Sequence, residues 1–465
     1  MSAHRVVLLA ALAAATSDVT RGQTGSAAAG ASAQPAAPAS AASTSGAKPN
    51  AAELAEAPAP WHGWIGLQAR SRWTSDEQDH DAYANVSVEY GRTGTNALTA
   101  RVYGRLTADL DGREQQTSVF RSLADTRDGS VEGLVYHAYL DYAPKDGAFA
   151  VRAGRQLDTR TPELLHFDGV LARTQPTGAK ALEFGVYGGV PVHLYESSSG
   201  DSALGTYAEG RPWKGGRARV DWMHVDDEDV LGDRVNDLMG LGLWQRVDAW
   251  SAEVQYSRLE EESRDLRVRA QHTDEACGAV ARATYYELFE TQRARALEFD
   301  PFTSALQDFF PYRQFGASYS RPIGRHVDLD LGADARRVRD DADVGEFNRD
   351  WERWRATGTV HDFGVRGLAL SVTADRWDGD GTDTSTWGAD ATLEPSAPWR
   401  FSLGSEYALY KYDLFGESER DDVRTWYLRA KCKATSALTL DLAYEYEDTD
   451  SDTYQFLRWG ASWRF

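Results

Sequence analysis

The final strand sets the tightest limit on what this chain can fold into. Leu457, Trp459, Ala461, Trp463 and Phe465 share one parity, and Arg458, Gly460, Ser462 and Arg464 share the other. Side chains alternate across a strand, so this segment has one apolar face and one charged face. The same pattern recurs upstream. Val327, Leu329, Leu331 and Ala333 alternate with Asp328, Asp330, Gly332 and Asp334. Leu438, Leu440, Leu442 and Tyr444 alternate with Thr439, Asp441, Ala443 and Glu445. Ala100, Val102, Gly104 and Leu106 alternate with Arg101, Tyr103 and Arg105. Leu134, Tyr136, Ala138, Leu140 and Tyr142 are read as one face, against Val135, His137, Tyr139 and Asp141. Helical spacing is sparse, and nothing after the N-terminus approaches the roughly 20 apolar residues of a membrane helix. The fold class is all-β.

A last strand of this pattern, ending on an aromatic residue, resembles the C-terminal strand of Gram-negative outer-membrane β-barrels. The resemblance implies that Trp463 and Phe465 act as an assembly signal for the barrel-assembly machinery. Barrel strands of about 9–11 residues are half polar, so hydropathy averages pass over them. The chain carries 15 Trp, 21 Tyr and 16 Phe despite a net charge of -21, enough for aromatic girdles at both interfaces. Counting alternating segments gives a single antiparallel transmembrane barrel of about 22 strands, within a range of about 18 to 22.

The connections alternate in length. Residues 91–96, 143–147, 176–178, 394–398 and 434–436 read as short turns. Residues 75–81, 109–130, 226–237, 288–311, 339–350, 413–422 and 448–452 read as longer, acidic loops. Short periplasmic turns and long outer loops are the expected asymmetry of such barrels. A soluble propeller or solenoid needs no such alternation, and the chain shows no fixed-period repeat.

The start divides into two further segments. A short basic opening, His4-Arg5, precedes ten apolar residues from Val6 to Ala15, so residues 1–22 read as a secretory signal. Residues 23–60 are rich in Ala, Ser, Pro and Gly and are expected to be a disordered periplasmic tether. The barrel then occupies residues 61–465.

A ring of 22 strands encloses a cylinder roughly 40 Å across, too wide for side chains to fill. The polar faces are therefore expected to line water and the apolar faces to meet lipid. On the lumen side the sequence places Arg101, Arg105, Arg152, Arg217, Arg219, Arg267 and Arg269 in the first half. Asp328, Asp330, Asp334, Asp390, Asp441 and Glu445 follow in the second. Opposed walls of opposite charge select solutes by charge, with anions following the basic wall. The competing reading is cross-strand salt bridges that knit the wall. The long connections 109–130 and 288–311 are expected to narrow the lumen. The second carries Phe299, Phe302, Phe309, Phe310 and Tyr312.

One stretch resembles a second family. Val151-Arg-Ala-Gly-Arg155-Gln156, followed by Phe167-Asp168-Gly169-Val170, is similar to the alginate-export porin-like barrels. The resemblance implies a polyanionic or carbohydrate solute. Physically, Arg155 and Asp168 are expected to pair at the outer mouth and pin their hairpin.

Chemistry is otherwise thinly signalled. Cys277 and Cys432 stand far apart and outside any CxxC, so no metal or cofactor is expected. The acidic stretch at 378–383 lacks the twelve-residue calcium loop. His137 and His224 are catalytic candidates by type only, and an enzyme is not expected. The expected protein is an outer-membrane channel, porin-like or an export porin, for hydrophilic solutes including anions or carbohydrates. The alternative is a scaffold barrel that holds a partner protein. Expected partners are outer-membrane lipid and lipopolysaccharide, the assembly machinery and a small hydrophilic solute, with no nucleic acid.

Overall fold

The alternation of period two becomes 22 antiparallel strands in the computed structural model. It describes residues 60–111, 120, 130–158, 165–176, 178–192, 199–229, 232–290, 310–344, 349–379, 382–396, 398–413, 418–450 and 452–465. The expected signal and all but the last residue of the tether lie outside that set.

The first strands are β1 (Trp61–Trp73), β2 (Gln78–Tyr90), β3 (Leu98–Asp109), β4 (Val131–Tyr142), β5 (Phe149–Asp158), β6 (Leu165–Thr174) and β7 (Glu183–Pro191). There follow β8 (Ser202–Gly210), β9 (Gly216–Asp229), β10 (Gly232–Val247), β11 (Trp250–Leu259), β12 (Glu262–Asp274), β13 (Ala279–Leu288), β14 (Tyr312–Ile323) and β15 (Val327–Val338). The last are β16 (Trp351–His361), β17 (Leu368–Gly379), β18 (Thr382–Ser396), β19 (Trp399–Asp413), β20 (Ser418–Lys433), β21 (Leu438–Asp448) and β22 (Thr453–Arg464).

Each strand pairs with the next, and β22 returns to β1 in register from Trp64↔Arg464 to Trp73↔Gln455. Just below that register, Gly63 and Phe465 exchange two backbone hydrogen bonds of 3.0 Å. The terminal aromatic residue is thus part of the closing seam. Closure leaves no sheet edge, which is what lets a sheet cross lipid.

Parity decides the faces. Leu67, Val102, Leu140, Val220, Leu331, Leu442 and Trp459 point outward and are 43–56% exposed. Large apolar side chains exposed all around a closed antiparallel ring are met by hydrocarbon, so this is an outer-membrane β-barrel. Two glycines let rings lie flat on the inner wall. Tyr187 covers Gly205 and Tyr207 covers Gly185, where a Cβ would run into each ring. Aromatic cover of strand glycines restores contacts that a bare backbone lacks.

Three expectations change. In β4, the register against β3 shifts at Tyr103/Gly104. The extra residue reverses parity, so Leu134 and Tyr136 are buried inside with Tyr103, while Leu140 and Tyr142 face out. The segment 226–237 is not a loop: β9 and β10 stay paired out to Asp229↔Gly232. Likewise β19 and β20 pair to Asp413↔Ser418, and Asp378 faces Asp383 across the β17–β18 hairpin. Runs of acidic residues lack the apolar alternation that marks a strand, so these hairpin arms read as loops in the sequence.

The charged lumen wall

The inner wall is built from a repeated unit: an arginine, a carboxylate and an aromatic ring on neighbouring strands. Cross-strand neighbours lie about 5 Å apart, so a guanidinium can reach an acid on the next strand and still rest on a ring. Arg70 Nε donates to Asp81 at 3.0 Å, and the Tyr83 hydroxyl donates to the same carboxylate at 2.9 Å. The Tyr83 ring lies between Arg70 and Arg105, 5.4 and 5.5 Å away. Arg105 itself donates to Asn85 at 3.0 Å. Arg101 meets Glu89 at 3.3 Å.

Farther round, Asp141 holds Arg152 at 2.7 Å and Arg173 at 3.7 Å, and Arg152 sits 4.4 Å over Tyr139. Arg219 donates to Asp221 at 2.6 Å and lies 4.5 Å over Tyr207. Arg217 reaches Glu209 at 3.6 Å and stacks 3.7 Å over Trp244. Arg267 binds Asp265 at 2.9 Å, and Arg269 approaches Glu253 at 3.9 Å. Of the seven arginines expected to form the basic wall, six therefore have a carboxylate within 4 Å, and Arg105 has Asn85.

The second half repeats the unit rather than opposing it. Arg353 donates to Asp375 at 2.9 Å and lies 4.5 Å over Trp377. Arg429 binds Glu445 at 2.9 Å and lies 4.2 Å over Tyr427. Asp390 accepts from the Tyr427 and Thr392 hydroxyls, both at 2.9 Å. Asp328 meets His361 at 2.7 Å. Asp334 is registered against Arg353, with Arg355 one row away. Among the described residues, Asp330, Asp441, Arg458 and Lys431 have no ion pair within 4 Å. Charge is balanced locally around the ring, so the net field between the two halves is smaller than the sequence implies.

Two inward features escaped the sequence reading. Leu165, Phe167, Leu171, Tyr187, Met223, Val225 and Leu238 form an apolar cluster on the inner face of β6 to β10 and are at most 2% exposed. Inner residues buried that deeply do not touch lumen water, so this sector of the ring is filled. The signal was available in β9, where Arg217, Arg219 and Asp221 give way to Met223 and Val225 on one face. The second feature is Phe120, within the connection between β3 and β4. It is 1% exposed and packs edge-on against Tyr454 and Phe456. Arg72, itself paired with Asp79, donates to the Phe120 carbonyl at 2.5 Å, and its guanidinium lies 5.2 Å from the ring. Phe120 thus lies on the inner face at the seam. Of the other connection, Phe299, Phe302 and Phe309 lie outside the described residues, while Tyr312 opens β14 with its ring under Arg336.

Arg155 and Asp168 make a two-point pair, at 2.9 and 2.6 Å, across β5 and β6 near their outer ends. Both share the face of Val151 and Val170, the outward one. The pair pins its hairpin from the membrane side. His224 also faces outward, against Asp237 at 3.0 Å, and His137 is buried inside beside Tyr103 and Tyr139. The two cysteines are free. The described residues hold no cluster able to bind a metal.

No family model and no curated protein matches the chain, so the alginate-export likeness rests on its short stretch alone. Solved structures do match. The P pilus usher PapC translocation pore aligns with 87% of this chain and 99% of its own, at TM-score 0.51 and 9% identity. Acinetobacter baumannii OccAB3 covers 87% and 99% at TM-score 0.42 and 9% identity. Pseudomonas aeruginosa OpdK with vanillate covers 87% and 98% at 0.36 and 12%. The usher match speaks for barrel architecture only; the other two are too loose to carry an argument.

Proposed function

We propose that the protein is an outer-membrane channel for hydrophilic solutes, with a path bounded by the arginine–carboxylate–aromatic wall. The observation that carries this reading is the charged, ring-backed inner face repeated on most strands. Fixed charges in such a lining favour polar solutes and resist apolar ones. Phe120 and the filled sector along β6 to β10 reduce an opening that 22 strands would otherwise leave too wide to select. Against a scaffold barrel, the inner apolar clusters among the described residues are already buried and offer no free surface to a partner. Anionic or carbohydrate solutes are the class to test first, given the local alginate-export likeness. Purified protein in planar bilayers is expected to give stepwise conductance that falls with solute size. A membrane that stays silent with correctly folded protein removes the channel reading. Trp463 and Phe465 are proposed as the assembly signal, with lipopolysaccharide meeting the outer rim.

A further inference from the structure

The closing seam sets two arginines directly opposite each other on the inner wall; elsewhere Arg400 faces Lys431, but Glu394 lies 3.6 Å from Arg400. Arg458 and Arg70 are direct partners across β22 and β1. Arg429 joins the same row, since Ala443 is registered against both Arg429 and Arg458. At about 4.8 Å between strands, three guanidinium-bearing residues fall within roughly 15 Å, separated only by an alanine. Like charges directly opposite each other destabilise a sheet.

The neighbouring acids counter Arg70 and Arg429 and leave Arg458 without one. Asp81 is held by Arg70 and the Tyr83 hydroxyl, and Glu445 is held by Arg429. Arg458 has no carboxylate within 4 Å and no hydrogen bond among the described residues. Asp441 is the nearest uncommitted acid. Its carboxylate lies over Gly460, close to where a Cβ would stand, and forms no ion pair within 4 Å. One row toward the outer end, Phe456 and Phe120 present rings beside Arg72.

We propose that Arg458 and Arg70 form an oxyanion-binding site in the lumen, with Arg429 in support. The ligand is a carboxylate or phosphoryl group carried by the passing solute. An oxyanion between the two guanidiniums turns a repulsive pair into charge-assisted hydrogen bonds. Phe456 offers an apolar surface to the remainder of the solute. The site deepens the channel reading and rests on it, and it centres the anion path on Arg458, which has no acid within 4 Å, rather than on the arginines of β9 and β12.

The test is anion block of the full-length protein in planar bilayers, with inorganic phosphate and benzoate as probes and benzyl alcohol as the neutral control. Saturable block by one or both anions, and none by the alcohol, is expected; the stronger anion tells phosphoryl from carboxylate. Arg458→Ser should raise the half-blocking concentration about tenfold, from the loss of one charge-assisted bond. Arg458→Lys should restore part of it, and Asp441→Asn should lower it below wild type. Should Arg458→Ser fail to fold, as judged by heat-modifiable migration, Arg458→Gln carries the same expectation. A conducting wild type whose block is unchanged in these variants overturns the site. A non-conducting wild type overturns the channel reading instead. Phosphate and benzoate calorimetry on detergent-held barrels then decides the site: binding heat lost in Arg458→Ser supports it, and heat unchanged or absent in wild type sinks it.

Discussion

Replacing a bound acid and a free acid on the same wall separates charges that hold the barrel from charges that act on solutes. Asp141 is the bound case. It is 5% exposed and takes Arg152 at 2.7 Å and Arg173 at 3.7 Å. Asp141→Asn leaves two guanidiniums facing each other with no counter-charge. Breaking a buried pair from one side costs about 3–5 kcal/mol. The two arginine side chains keep 22% and 20% of their exposure, and the Tyr139 ring still supports Arg152, so water recovers part of that cost. About 2 kcal/mol is expected, or roughly thirtyfold in the folded-to-unfolded ratio. Asp330 is the free case, with no ion pair within 4 Å among the described residues. Asp330→Asn should change stability by less than about 0.5 kcal/mol. Each substitution removes one negative charge from the lumen, so both should move the reversal potential toward anions under a salt gradient. Urea titration of barrels refolded into detergent, beside bilayer recordings, reads both quantities. Equal stability losses in the two variants, or none in Asp141→Asn, would refute the division into structural and free charges.

Other outcomes follow from the same geometry. Leu442→Arg puts a charge on the lipid face and should cost about 2–4 kcal/mol in refolding titrations if the residue sits near the bilayer midplane; a neutral result would place that face elsewhere. Gly205→Ala drives a methyl into the Tyr187 ring and should cost about 1–3 kcal/mol, with Tyr187→Ala in the same chain relieving most of the clash. Spin labels at Leu329, Leu440 and Trp459 should report lipid, and labels at Asp330 and Asp441 should report water; indistinguishable sets would sink the assignment of faces. Phe120→Ala removes the ring packed among Arg72, Tyr454 and Phe456 and should raise single-channel conductance; unchanged conductance would mean that this ring does not narrow the path.

Most of the architecture was legible because lipid and lumen impose one strict period. A residue two positions away returns to the same environment, so Leu438, Leu440 and Leu442 announce their strand without any neighbour in view. The pattern failed where only one environment exists. Asp226 to Asp237 looked like a loop because its run of acidic residues carries no apolar parity to mark a strand. It failed again at Tyr136, where one extra residue exchanged the two faces of β4 partway along. No local signal marks such a bulge, since the residues on either side keep their own alternation. Arg155 is different: its parity with Phe149, Val151 and Ala153 already placed it on the outward face.

The partners of the lumen charges were the least legible part, for a physical reason. Parity fixes which face a side chain takes, but an ion pair also needs the register against the next strand. Turn length and every bulge along the hairpin set that register. Arg217 and Arg219 read as a free basic wall because Glu209 was not yet opposite Arg219 on a known register, although Asp221 stood two residues along the same strand. Arg458 read as one more wall arginine because nothing in β22 reveals that the first strand brings Arg70 against it. The seam joins residues nearly 400 positions apart, so its charge balance is a property of closure alone. That is why this row of cations appears only once the barrel is shut, and why a solute site at the seam would remain hidden from any reading of single strands.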